Sequence, residues 1–354
     1  MKAAIIGLPK SGKSTLFTAI TGKAVDPYAP PEPRQTVVHV PDERLAYLAE
    51  LHKPSKVIEA TIDIVDVPGC SLDDPKGQEE WRRFLPVVRQ ADMLIVVVRD
   101  FENDAVPAYH DRIDAKGDFD AMWDEIIFAD LDTVTTRVER IEAQLKKPTK
   151  THDTEKRELA LLQRCQEALE SSEPLSTVIA HEDERRAVSS FAFLTEKPLV
   201  CIRNISDEEA SSAEGIQAEH TKASLALSAS IEAEIALLDP ADRAVFLEDL
   251  GLESPARDRL VKACYAAGGL ISFLTVGSDE VRAWSIPAGT TAVEAAGKVH
   301  TDFARGFIRA ETVAFADLLE HKDIKGAKAA GKVRKEGKTY IVEDGDLLNI
   351  LSSA

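Results

Sequence analysis

Cysteine is scarce in this 354-residue chain: Cys70, Cys165, Cys201 and Cys264 are widely spaced, with no CxxC pair. That excludes a disulfide framework or a zinc site built on paired cysteines, and it predicts reduced thiols. Long hydrophobic runs are missing too. The longest clearly apolar stretch, Met93–Val98, is far short of the roughly 20 residues a membrane span needs. No secretory leader is legible, because the first motif begins at Lys2. These absences predict a cytoplasmic protein without membrane contact. Positive charge is in deficit, with 43 Lys and Arg against 61 Asp and Glu and a net charge of −18. Such a balance argues against nonspecific nucleic-acid binding by the whole molecule, and no DNA specificity is evident. What remains is the composition of a globular protein, 44% hydrophobic and 29% charged, long enough for two or three domains.

The first residues carry the most informative motif. Gly7-Leu8-Pro9-Lys10-Ser11-Gly12-Lys13-Ser14 fits G-x-x-x-x-G-K-[ST], and Thr15 follows. Lys2–Ile6 reads as a short buried strand and Thr15–Ile20 as a helix start, the setting this loop requires. Its backbone N–H groups and the positive end of the helix dipole face a polyphosphate. Lys13 is expected to reach the β- and γ-phosphates, and the Ser14 hydroxyl to ligate Mg²⁺. The chain is therefore expected to bind a nucleoside triphosphate.

A second carboxylate belongs at the end of a neighbouring strand. Ala60–Val65 reads as that strand and ends in Asp66-Val67-Pro68-Gly69. Asp66 is expected to hold Mg²⁺ through water, and Gly69 to meet the γ-phosphate and open a switch segment reaching about Arg83. Met93–Val98 and Lys197–Arg203 read as further buried parallel strands. The second ends in Asn204-Ile205-Ser206-Asp207, a partial match to the N-K-x-D base motif with Ile205 in the Lys position. Ala223–Leu227 is a last strand, leading into the base loop Ser228-Ala229-Ser230. The fold class is α/β: a P-loop domain of the Ras-like type, mostly parallel.

Roughly a hundred residues between two of these strands are not sheet. Ile127, Leu131, Val134, Val138, Ile141 and Leu145 form a heptad seam, and Leu162, Cys165 and Leu169 resume it after Lys146-Lys147-Pro148-Thr149-Lys150. The spacing predicts a helical hairpin: an antiparallel coiled coil with a basic tip, or a helical insertion packed flat. From Leu270 onward short strands resume, at Ile271–Val276 and Glu280–Ile286. A helix at Thr291–Val299 and a terminal strand at Gly337–Val342 follow, and a turn at Asp344-Gly345-Asp346 closes the series. This predicts a small β-grasp module. Domain boundaries are expected at 1–110 with 196–269 for the nucleotide domain, 111–195 for the helices and 270–354 for the last module. Residues 270–354 hold 11 Lys and Arg against 12 Asp and Glu, so nearly all the net negative charge lies before them. Within them Lys322, Lys325, Lys328, Lys332, Arg334, Lys335 and Lys338 form either a phosphate-backbone patch or a solvated face.

Together these residues resemble the Obg-like ATPase, or YchF, family of TRAFAC-class P-loop proteins. The likeness covers most of the chain and is most specific in Glu280-Val281-Arg282-Ala283-Trp284, His300-Thr301-Asp302-Phe303 and Gly306-Phe307-Ile308-Arg309-Ala310-Glu311. It implies a G domain, a coiled-coil insertion and a TGS domain linked to RNA or ribosome binding. It also implies Mg²⁺-dependent hydrolysis with a preference for ATP over GTP, the preference because the family's base motif is N-x-x-E. Asp207 departs from that motif and leaves GTP open. Cys70 stands where Ras-like enzymes carry the water-orienting Gln, so slow hydrolysis, or none, is expected. The family's His in the loop after the fourth strand falls at Ala108, with His110 two residues on. The family's Thr metal ligand falls near Pro30, leaving Thr36 as the nearest hydroxyl.

Overall fold

In the computed structural model, residues 1–26, 30–146, 152–210, 213–252 and 254–353 are described. The chain opens with β1 (Lys2–Ile6), α1 (Lys13–Thr21), β2 (Arg34–His39), α2 (Glu43–His52), β3 (Lys56–Ile58) and β4 (Thr61–Asp66). Then come α3 (Pro75–Arg89), β5 (Met93–Asp100), α4 (Ala115–Leu145), α5 (His152–Glu170) and α6 (Glu182–Val188). β6 (Leu199–Ile205), β7 (Ala223–Leu227), α7 (Ala229–Leu237), α8 (Pro240–Asp249) and α9 (Ala256–Ala267) follow. The last stretch holds β8 (Leu270–Val276), β9 (Glu280–Pro287), α10 (Ala292–Val299) and α11 (Thr301–Arg305). It ends with β10 (Phe307–Ala314), α12 (Phe315–His321), α13 (Ile324–Ala329), β11 (Arg334–Glu336) and β12 (Asp346–Ser352).

Two compact units result: residues 1–36 with 63–264, and residues 37–62 with 265–354. In the first, a six-stranded sheet has the order β2-β4-β1-β5-β6-β7, and the pairs from β4 to β7 are parallel. Its central strands read as continuous apolar runs because helices cover both faces. The P-loop, the Asp66 turn and the Asn204 turn follow the carboxyl ends of β1, β4 and β6, parallel strands of one sheet, where α/β sheets place ligands. The helical insertion shares this core. Phe119, Met122, Trp123, Ile126 and Ile127 on the first half of α4 join Val96 and Val98 of β5 in one cluster. The same cluster runs on through Val134, Val138 and Ile141 to Leu162, Cys165 and Leu169 of α5. Arg137 pairs with Glu158, and Trp123 Nε1 donates to the Ser172 carbonyl, so the two helices run antiparallel. The basic tip at 147–150 lies outside the described residues. All four cysteines are buried and free.

The second unit is a six-stranded sheet ordered β11-β10-β12-β8-β9-β3. The β8–β9 hairpin is antiparallel, and β12 lies beside β8 in parallel, the β-grasp arrangement. The closing strand differs from the sequence expectation. Gly337–Val342 is irregular apart from a bridge between Ile341 and Thr291, and the apolar run Asp346–Ser352 takes the ladder positions beside β10. Residues 37–62 belong to this unit because β3 pairs with β9, and because α2 buries Leu45 and Leu48 beside that strand. Asp42 caps α2 through the Arg44 N–H and, with Asp344, holds the Arg44 guanidinium at 2.8 and 2.7 Å. No described helix is long and apolar enough to cross a membrane.

Candidate nucleotide site

Between β1 and α1 the loop bends over the N-terminus of α1. Gly12 adopts φ +94°, and a Cβ there would sit 2.0 Å from Asn204 Nδ2, so only glycine lets the loop meet that side chain. Asn204 is buried at the end of β6. It donates from Nδ2 to the Ser11 carbonyl at 3.0 Å and accepts the Ala229 N–H at 2.9 Å. It thus ties the phosphate loop to the loop carrying Ser228 and Ala229.

Lys13 is 6% exposed; its ammonium donates to the Leu8 carbonyl at 2.7 Å and reaches Ser11 Oγ at 3.4 Å. Burial pushes its pKa down to about 8, partly offset by Asp66 and Cys70. Asp66 is 4% exposed, and burial raises its pKa against the pull of Lys13 and the Ser14 hydroxyl. Ser14 Oγ donates to Asp66 Oδ2 at 3.2 Å, while Asp66 Oδ1 is buried and makes no hydrogen bond. A buried carboxylate oxygen without a donor, beside a hydroxyl, is a donor set suited to a hard divalent cation that also takes phosphate and water oxygens. No described cluster of three His, Cys, Asp or Glu residues offers a self-sufficient metal cage. Across from Lys13 is Gly69, where a Cβ would come within 2.7 Å of Lys13 Nζ and 3.0 Å of Pro9.

These groups open onto a cleft of about 1030 Å³. Lys10, Gly12, Lys13, Ser14, Thr15 and Gly69 line it on the phosphate-loop side, where Asn204 meets Gly12, and Ile205, Asp207 and Ser230 line it as well. Gly7 and Ser11 lie within the loop, and Ser228 turns its hydroxyl onto Asp207 Oδ1. Two expected residues stand apart. Thr36 is in β2 and is not among the residues lining the cleft, while His110 pairs with Asp73, Nε2 to Oδ2 2.7 Å. Cys70 is buried with Sγ directed at the Pro68 carbonyl, and burial pushes its thiol up to about 11. It is a packing group, not a nucleophile.

The side wall is the part the motifs did not reveal. It contains Phe101, Glu102, Val106, Ile113 and Arg203. Arg99 is buried behind it, donates to the Phe101 and Val106 carbonyls at 3.1 and 2.8 Å, and stacks 4.3 Å from the Phe101 ring centroid. A charged residue closing the apolar run Met93–Val98 was the available signal.

Residues 2–148 match the 50S ribosome-binding GTPase family, and residues 270–352 match the YchF-GTPase C-terminal family, described as of unknown function. The chain is 38% identical over 360 residues to the ribosome-binding ATPase YchF of Escherichia coli O157:H7, covering 99% of this chain and 98% of that one. It is 37% identical over 362 residues to the same-named protein of Bacillus subtilis, at the same coverage. The solved Schizosaccharomyces pombe YchF GTPase superposes with a TM-score of 0.83 at 28% identity, over 99% of this chain and 97% of that one.

Proposed function

The chain belongs to the YchF family, and we propose that it is a Mg²⁺-dependent nucleotide switch that binds ATP, hydrolyses it slowly and acts in contact with the ribosome. The observation that carries the nucleotide reading is the Ser14–Asp66 pair with its unpartnered Asp66 oxygen, beside Lys13 at the head of a cleft. Lys13 binds the terminal phosphates, loop N–H groups and α1 hold the chain of phosphates, and Ser14 and Asp66 supply protein oxygens for Mg²⁺. When bound, the metal neutralises charge building on the phosphate oxygens. Asn204 fixes the two loops that face the phosphates and the base.

Two features support slow turnover. Cys70 cannot supply the paired donor and acceptor of a Gln amide, and its thiol stays protonated at neutral pH. No other described side chain has a geometry that assigns it the attacking water. Preference for ATP rests on the names of the bacterial relatives and on Ile205 replacing the usual Lys. A second reading, GTP, has its own observation. Ser228 holds Asp207 by one carboxylate oxygen, leaving the other to accept from guanine N–H groups. Titration of the protein with fluorescent ATP and GTP analogues, with and without Mg²⁺, decides between them. Tighter ATP binding supports the proposal, tighter GTP binding replaces it, and no binding of either rejects the site.

Ribosome contact rests on the relatives' names and on the C-terminal unit. Lys322, Lys325, Lys328, Lys335 and Lys338 are exposed and have no ion pair among the described residues. Lys332 and Arg334, by contrast, are engaged by Asp317, Glu336 and Asp346. The five free ammonium groups suit an RNA backbone. The antiparallel α4–α5 pair is a second proposed contact element.

A further inference from the structure

Gly69 and Cys70 are followed by a short turn, Ser71–Asp73, before α3 begins at Pro75. With a buried thiol at Cys70, no side chain there can orient water, so the turn acts only through where its backbone is held. On one side α3 holds it: Gln78 Nε2 donates to the Leu72 carbonyl at 2.9 Å, and Gly77 packs against the Ser71 carbonyl so closely that a Cβ would sit 2.0 Å from it. On the other side one hydroxyl does the holding. Tyr109 Oη accepts the Leu72 N–H at 3.2 Å, lies 3.0 Å from Ser71 Oγ and donates to the Asp73 carboxylate. Three consecutive residues of the turn thus meet a single atom of the loop after β5.

That loop is itself under constraint. His110 and Asp111 are consecutive non-glycine residues at φ +57° and +50°, a left-handed conformation that costs energy unless surrounding contacts impose it. His110 Nε2 meets the same Asp73 oxygen as the Tyr109 hydroxyl, and the two ring centroids lie 3.9 Å apart. The Tyr109 ring is packed against the main hydrophobic cluster of the nucleotide unit, which anchors the hydroxyl to the rigid core.

We propose that Tyr109 is the positioning residue for the segment after Gly69, with His110 as its brace. By fixing Ser71–Asp73 it sets the placement of the Gly69 N–H and the peptide planes beside it, and so the rate at which bound nucleotide is hydrolysed. This rests on the hydrolase reading above. Neither residue lines the cleft, so nucleotide affinity is not its output. Preorganisation of a reacting geometry is felt in kcat, because a turn that wanders by an ångström no longer presents its donors where charge develops.

The test is Tyr109→Phe, which keeps the ring in its packing and deletes the hydroxyl. Full-length wild type and variant are compared with Mg²⁺-ATP and Mg²⁺-GTP. The expected result is a kcat lowered about tenfold with KM changed less than about twofold. Amide exchange at Leu72, whose N–H loses its acceptor, should rise about tenfold while the strands keep their protection. A cycle with Asp73→Asn should be non-additive, since both variants break the same clamp. Equal kcat in wild type and Tyr109→Phe overturns the inference and leaves the hydrolase reading intact. A wild type that turns over at the rate of buffer overturns that reading instead. Unchanged exchange at Leu72 overturns the clamp whatever the turnover.

Discussion

Asn204 and Ser11, 193 residues apart, are joined by a 3.0 Å hydrogen bond from a side-chain amide to a main-chain carbonyl. The same amide's oxygen receives the Ala229 N–H, so one buried side chain at the end of β6 links two separate loops of the nucleotide unit. Asn204→Ala would leave a buried carbonyl and a buried N–H without partners. We expect a loss of about 1–3 kcal/mol in unfolding free energy, with nucleotide affinity falling as the loops decouple. Denaturant melts with and without Mg²⁺-ATP measure both; an unchanged midpoint and affinity would remove Asn204 from this role.

Lys13 should reveal itself through protons. Burial lowers its pKa to about 8 in the free protein, and bound phosphates restore the charged form. Nucleotide binding should then take up nearly one proton at about pH 9 and little at about pH 7, and affinity should fall as pH rises through that interval. Calorimetry in buffers of different ionisation enthalpy reads this directly. Buffer-independent heats at the higher pH would mean that Lys13 is already charged without ligand. Lys13→Ala should abolish binding, lowering affinity at least about a hundredfold.

Asp207 offers the test between the two bases proposed above. If guanine is the natural base, Asp207→Asn should weaken GTP by about tenfold or more and leave ATP nearly unaffected. If adenine is, both affinities should shift little. Competition binding of the two nucleotides on wild type and variant separates these cases, and the Ser228 hydroxyl, which fixes Asp207, provides a parallel variant in Ser228→Ala.

The exposed lysines of the C-terminal unit should act through salt. Binding of ribosomal RNA should weaken linearly in log–log dependence on salt, and Lys325→Glu with Lys328→Glu should reduce the slope by about two phosphate contacts. Salt-insensitive association would point to a protein surface on the ribosome instead.

The phosphate loop was legible because its chemistry demands glycine, lysine and hydroxyl at fixed spacing, and because β1 and α1 flank it with the right periodicity. Asp66 and Asn204 were legible as strand-end residues for the same reason. The side wall was not, since Arg99 acts through carbonyls at positions 101 and 106 and Tyr109 through a turn 36 to 38 residues earlier. Thr36 was read as the hydroxyl nearest the slot where the resembled family carries its Thr ligand; it lies in β2, at the edge of the sheet. β3 escaped notice because three residues carry no period, and its register is set by Glu280–Arg282, more than two hundred residues on. The terminal strand was placed too early because Gly337–Val342 is richer in β-branched residues, with Thr339, Ile341 and Val342 against Ile350 alone, whereas Asp346–Ser352 makes the hydrogen bonds.

Residues 37–62 leave the nucleotide unit after β2 begins and return to it within β4, having built α2 and β3 into the C-terminal sheet. The covalent chain therefore passes between the two units at three points instead of one. A gene break at Leu270 would strip β9 of its parallel partner and Arg44 of Asp344. Such a C-terminal unit cannot be inherited, exchanged or transplanted as a tail. Recombination between relatives would have to carry 37–62 along with it, and so this early segment and the C-terminal sheet must diverge in step.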